Sequence, residues 1–200
     1  MREIRYNKIP GHGHATLPGI TSMIALYADC GMLGDNFIPK SETGAIIGRQ
    51  SHDVIKRINE GQKIGIGEWN GLPEKTRNAV KAFLRWKKAV GFIPRLSETL
   101  VYSLKYGIAG HVDAIGTIRP KILTVCDWKL GDIHNERILM QIPTYGFCYL
   151  EMFPRRKIYG FGGVHLDPLT GNYEEIRMSL DEGWNHFQEF LRLKIEVGIV

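Results

Sequence analysis

Cysteine is scarce in this sequence and poorly placed for cofactor chemistry. Cys30, Cys126 and Cys148 are odd in number and widely separated, with no C-x-x-C pair. A zinc or dithiol redox site therefore has no framework, and the four thiolates of an iron–sulfur cluster are not there. Buried free thiols are expected instead, above all Cys126, which falls in an apolar strand. No apolar run approaches the length that crosses a bilayer, and the first residues carry no hydrophobic core of a secretory signal, so a soluble, cytoplasmic protein with no membrane partner is expected. Repeats, low-complexity tracts and linkers are missing too. No G-x-x-x-x-G-K-[ST] loop occurs, which excludes a helicase motor of that type within these residues. Acidic residues are lacking from 75–88, where Lys75, Arg77, Lys81, Arg85, Lys87 and Lys88 cluster.

What is present suits one domain over residues 1–200. With 44% hydrophobic and 24% charged residues, the chain can bury a full core. The net charge of +5 is uneven: residues 1–100 hold 15 Lys+Arg against 9 Asp+Glu, and residues 101–200 hold 11 against 12. The basic run at 75–88 either tracks a phosphate backbone, with Lys81, Arg85 and Lys88 as contacts, or is a solvated helix face. A metal site elsewhere in the chain favours the polyanion.

Periodicity divides the chain into an N-terminal helical part, 16–92, and a sheet, 96–179. Helices are predicted over 18–29, opened by Thr21 or Ser22, over 41–60, opened by Ser41 or Thr43, and over 73–90, between Pro73 and Gly91. The second buries Ile47, Val54, Ile55 and Ile58. Strand character runs from Glu98 to Ile118 with a turn at 105–107, and again over 122–129, giving an antiparallel meander. A helix over 135–153 contains Pro143, which predicts a kink or a late start. Strands at 157–166 and 173–179 flank a turn-rich 167–172, and a helix over 180–196 closes the pattern.

The chemistry concentrates in the middle. Asp113 lies in a strand over 110–115, and Asp127 and Lys129 lie in the next, over 123–129. Alternation puts Asp127 and Lys129 on one face and Trp128 on the other. If the strands are neighbours, Asp113 joins them, offering two hard oxygen ligands and an amine to a divalent cation and its water. Both acids have apolar or β-branched neighbours, where a buried charge needs a partner. His52 is either a satisfied core histidine or a further ligand. Gly48, one turn earlier on the same face, predicts close approach of that helix to the sheet. His111 shares a face with Asp113, as a reserve ligand or phosphate contact, and Gln141 and Tyr145 share a helix face. His12 and His14 read as a flexible loop.

Four of these segments carry a resemblance. Gly48-Arg49-Gln50-Ser51-His52, Gly110-His111-Val112-Asp113, Asp127-Trp128-Lys129 and Gln141-Ile142-Pro143-Thr144-Tyr145 resemble, in order, the G-x-x-x-H, G-x-x-D, D-x-K and Q-x-x-x-Y signature of the RecB-type branch of the PD-(D/E)XK nucleases. Each pattern alone is common by chance; four in order, on a predicted helix, strand, strand and helix, are far more specific. Pro143 falls inside the fourth, a departure that touches the role of Tyr145.

The resemblance implies a mixed α/β (α+β) fold with a restriction-endonuclease-like core: a twisted mixed sheet flanked by helices, with the site at one sheet edge. It implies His52, Asp113 and Asp127 as ligands of one or two Mg²⁺ or Mn²⁺ ions, with the Trp128 carbonyl as an additional oxygen. Glu98 would serve a second metal or be plain structure. Lys129 would stand beside the attacking water, with Asp113 and Asp127 as its catalytic partners. Gln141 and Tyr145 would support the site and touch substrate phosphates, or simply pack. The implied activity is DNA phosphodiester hydrolysis leaving a 5′-phosphate, by an exonuclease on single-stranded or end-bearing DNA. Recombination, repair, phage or CRISPR-associated processing fits, with any unwinding left to a helicase partner. Alternatives are a structure-specific or restriction-like endonuclease on the same fold, and a non-catalytic nucleic-acid-binding module.

Overall fold

The structure is a computed structural model that describes residues 3–33, 42–118 and 122–199. Two short strands, β1 (Tyr6–Lys8) and β2 (Thr16–Pro18), pair antiparallel ahead of α1 (Ile20–Asp29). Neither was legible in the sequence, because three residues show no measurable alternation. Pro18 accordingly ends a strand rather than opening a helix, and Gly19 is the N-cap. The chain continues through α2 (Glu42–Asn59), α3 (Ile66–Gly71) and α4 (Glu74–Val90). Ser41, one predicted start of α2, lies outside the described residues. The one-turn helix α3 hid among Gly65, Gly67 and Gly71; a bidentate Arg57–Glu68 ion pair ties it to α2. Helix α4 ends as its sequence predicts, on Gly91 in the left-handed conformation (φ +64°), which only glycine adopts without penalty.

Five strands form the main sheet: β3 (Ile93–Ser103), β4 (Ile108–Ile118), β5 (Ile122–Lys129), β6 (Gly160–Leu166) and β7 (Tyr173–Met178), neighbours in that order. All pairs are antiparallel except β5–β6, and the parallel pair requires the long crossover that α5 (Glu136–Met152) supplies. The meander β3–β4–β5 agrees with the sequence reading, although β3 begins at Ile93. Pro94, beside a register shift, masked that start. Helix α5 runs through Pro143 without a late start. Its buried Ile138, Met140, Ile142, Tyr145 and Cys148, each contributing about 1.5–3 kcal/mol when apolar and fully buried, offset the missing amide. Helix α6 (Leu180–Glu196) opens with a Ser179–Glu182 capping box.

Two apolar cores sandwich the sheet. The first joins α1, α5 and α6 to it through Ile20, Tyr27, Val125, Tyr145, Phe161 and Phe187. The second lies under α2 and α4 and holds Val54, Ile55, Phe83, Trp86, Cys126 and Trp128. Cys126 and Trp128 therefore occupy the face opposite Asp127, as alternation requires. Among the described residues no helix is long and apolar enough to cross a membrane.

Candidate active site at a strand fork

Strands β4 and β5 pair from Ile118↔Ile122 to Ala114↔Cys126 and then part. Beyond that point β4 stays bonded to β3, while β5 stays bonded to β6 as far as Lys129↔His165. Asp113 is the first residue past the last β4–β5 pair, and its Oδ2 accepts the Trp128 amide at 2.9 Å. A side-chain carboxylate thus replaces the ladder's lost backbone acceptor. The site occupies this fork between the second and third strands of five, in the sheet interior rather than at the edge that the resemblance implied.

Helix α2 and strand β3 complete the cluster. His52 Nδ1 stands 3.4 Å from Asp113 Oδ1 and 3.5 Å from Glu98 Oε1, and one ligand atom from each of the three lies within 4.8 Å of the others. Glu98 falls opposite Asp113, between the pairs Ser97↔Ala114 and Thr99↔Val112. It is the one described non-glycine residue with positive φ, at +46°. Such a conformation costs on the order of 1–3 kcal/mol and persists where surrounding structure over-determines it. Asp127, expected beside His52 and Asp113, does not join these three at that spacing; Glu98 takes the place. The Asp127 carboxylate turns to Lys129, with Nζ 2.5 Å from Oδ2, and its Oδ1 accepts from Gln141 at 3.3 Å. The Trp128 backbone enters the site through its amide.

Burial alone would depress the His52 imidazolium, but the charge and hydrogen bond of Asp113, with help from Glu98, raise its pKa to about 10. Burial pushes the Asp113 carboxyl upward, yet His52, Lys129 and the Trp128 amide hold it below the ordinary carboxylate range. Asp127 is lifted to about 6 by burial and by the neighbouring Asp113 charge, against the pull of Lys129. Lys129 is buried, which works against its charge, but Asp127 and Asp113 keep it firmly protonated. Three carboxylates therefore face two cations. An imidazole nitrogen with carboxylate oxygens is a donor set that suits a hard divalent ion such as Mg²⁺ or Mn²⁺.

A hydrogen-bond chain braces the far side. Gln141 Nε2 donates to Tyr145 Oη at 2.9 Å, and that hydroxyl shares a 2.9 Å bond with Thr21 Oγ1. Both side chains are buried in α5 on one face, so Pro143 leaves the Q-x-x-x-Y geometry intact. Gly110 makes this possible, since a Cβ there would lie 2.6 Å from the Tyr145 ring. Gly48 does something other than the sequence reading held. Its Cβ would meet nothing within 4 Å, so it leaves the cleft open and brings no backbone closer.

The cleft above the fork has a volume of about 890 Å³, and its walls include Arg5, Gly48, Arg49, His52, Lys56, Glu98, His111 and Lys129. His111 is thus placed at the site. Lys81, Arg85 and Lys88 line none of it: α4 lies against α2, β6 and β7, and Arg85 donates to the Gly171 carbonyl in the β6–β7 turn. His12 stacks on the edge of Tyr102 instead. Sequence reasoning missed Arg49 and Lys56, although their positions three before and four after His52 are a legible helical signal. Arg5 and Thr21 gave no signal, because only the β1–β2 hairpin carries them to the cleft.

No family model matches the chain, and no curated protein matches it. Among solved structures it is similar to a candidate exonuclease from Eubacterium rectale, with 8% identity over 90% of this chain and 74% of that one, at a TM-score of 0.51. An alkaline exonuclease from Laribacter hongkongensis shares 12% identity over 90% of this chain and 88% of that one, at a TM-score of 0.40. The first likeness shows the fold: a five-stranded mixed sheet flanked by helices, of an exonuclease-like type.

Proposed function

We propose that the chain is a metal-dependent nuclease of the PD-(D/E)XK superfamily, RecB-type branch, forming one domain over residues 1–200. In this reading it hydrolyses DNA phosphodiesters as an exonuclease on single-stranded or end-bearing DNA, in recombination, repair or phage DNA processing. A helicase or recombination partner supplies any unwinding. One observation carries the reading: Asp113 and the Asp127–Lys129 pair meet at the fork, with His52 3.4 Å from Asp113.

His52, Glu98 and Asp113 would hold the cation, with Asp127 within the same charged neighbourhood. A bound Mg²⁺ or Mn²⁺ supplies Lewis acidity at the phosphate and a lowered pKa for its water. Because Asp127 and Asp113 keep Lys129 protonated, Lys129 acts as a fixed cation that orients the attacking oxygen and stabilises the charge growing on the phosphate. Asp127 aims the Lys129 amine, and Gln141, braced by Tyr145, aims Asp127. Attack in line with the leaving 3′-oxygen leaves a 5′-phosphate.

The test is cleavage of labelled linear DNA with Mn²⁺ or Mg²⁺. Lys129→Ala should lose at least about a hundredfold in rate, the scale of one electrostatic stabiliser. Equal cleavage by that variant removes the mechanism, and equal cleavage of a closed circle converts the reading to an endonuclease.

A further inference from the structure

The fold separates the cations of this protein by whether they border the cleft. On α4, Arg77 donates to the Asn70 and Leu72 carbonyls, Arg85 to the Gly171 carbonyl and Lys87 to Asn59. Lys75, Lys81 and Lys88 of the same helix are exposed and, among the described residues, make no side-chain hydrogen bond or ion pair, but none of them lines the cleft. Arg5, Arg49 and Lys56 line the cleft along with Asp53 and Glu98, and among the described residues none of the three cations has an ion pair or side-chain hydrogen bond. Unpaired cations around a concave surface are what a polyanion needs.

Their placement relative to His52 is regular. Arg49 precedes His52 by three residues on α2 and Lys56 follows it by four, so all three share a face. Along the helix axis those steps are about 4.5 Å and about 6 Å. The two cations therefore stand about one helical turn from His52, one on each side of it along the axis of α2. Arg5 also lines an adjoining cavity of about 570 Å³, which shares Thr21 and His111 with the cleft, so the groove continues past the fork. Among the described residues no Phe, Trp or exposed Tyr lines either cavity, and the exposed His111 lines both.

We propose that Arg49 and Lys56, with Arg5 from the segment before β1, clasp the nucleic-acid backbone on both sides of the His52–Glu98–Asp113 cluster, making α2 rather than α4 the polyanion-binding helix. Binding through these cations is tolerant of sequence and steeply dependent on salt. The proposal rests on the nuclease reading for the identity of the polyanion, and its test omits the metal so that the two fail separately.

The experiment is fluorescence anisotropy of a labelled single-stranded oligonucleotide with the full chain in EDTA, titrated with salt. Arg49→Ala and Lys56→Ala should each weaken binding severalfold and reduce the slope of log K against log [salt] by about 0.7, the value of one phosphate contact on a single strand. Arg49→Lys should restore that slope, and a Lys81→Ala/Lys88→Ala protein should match the parent. Arg49 is exposed and Lys56 only half-buried, so neither change threatens folding. Unchanged slopes in the α2 variants, an equal loss in the α4 variant, or no binding by the parent protein would each overturn the clasp. Intact clasp behaviour with no metal-dependent cleavage would support the clasp and sink the nuclease reading.

Discussion

The Trp128 amide donates to Asp113 Oδ2 at 2.9 Å, across the gap where β4 and β5 have ceased to pair. Asp113 thus has a structural duty as well as a place among the ligand atoms of the site. Removing its acceptor leaves a buried amide unpaired, at a cost of about 1–3 kcal/mol. Asp113→Ala should therefore melt several degrees below Asp113→Asn, which keeps an oxygen for that amide, while both variants lose Mn²⁺ binding in a calorimetric titration. Equal melting temperatures for the two would show that the amide does not depend on this carboxylate.

Two glycines of the signature should respond in opposite directions. Gly110→Ala puts a Cβ 2.6 Å from the Tyr145 ring and 3.3 Å from Ile20, an overpacking expected to cost about 1–3 kcal/mol. Gly48→Ala meets nothing within 4 Å, and inside a helix alanine is favoured over glycine by about 1 kcal/mol. Urea unfolding should rank Gly48→Ala above the parent and Gly110→Ala below it. A destabilised Gly48→Ala would instead restore the close-approach reading.

Stability without metal should depend on pH through His52. Its folded pKa of about 10 lies above the unfolded value of about 6.5, so its contribution is fully present below pH of about 6.5 and is lost as pH rises to about 10. In EDTA the melting temperature should fall across that window. Asp127, raised to about 6, loses its contribution lower, between about 3.9 and about 6, so the two are separable. A His52→Gln protein should show a flatter profile above neutrality; a slope equal to the parent's would assign the titration elsewhere.

The amino-acid order decided whatever depends on near neighbours. Period-two alternation placed Asp127 and Lys129 together and turned Cys126 and Trp128 away from them. Helical spacing set Gln141 against Tyr145, and Pro73 and Gly91 framed α4. These relations hold because backbone geometry dictates side-chain direction over a few residues, whatever lies outside the element. Strands of three residues and a helix of six are too short to show a period, so β1, β2 and α3 are visible only in the folded structure.

Folding in three dimensions decided which charges meet. The separation of β4 from β5, the left-handed backbone of Glu98, and the rotation of Asp127 toward Lys129 and Gln141 all arise from contacts between distant segments. Charge density along the chain pointed to α4, yet its arginines are held by neighbouring carbonyls, while the sparser cations of α2 and Arg5 surround the fork. Composition records how many charges a segment carries; only the packing of distant segments determines which of them border the cleft.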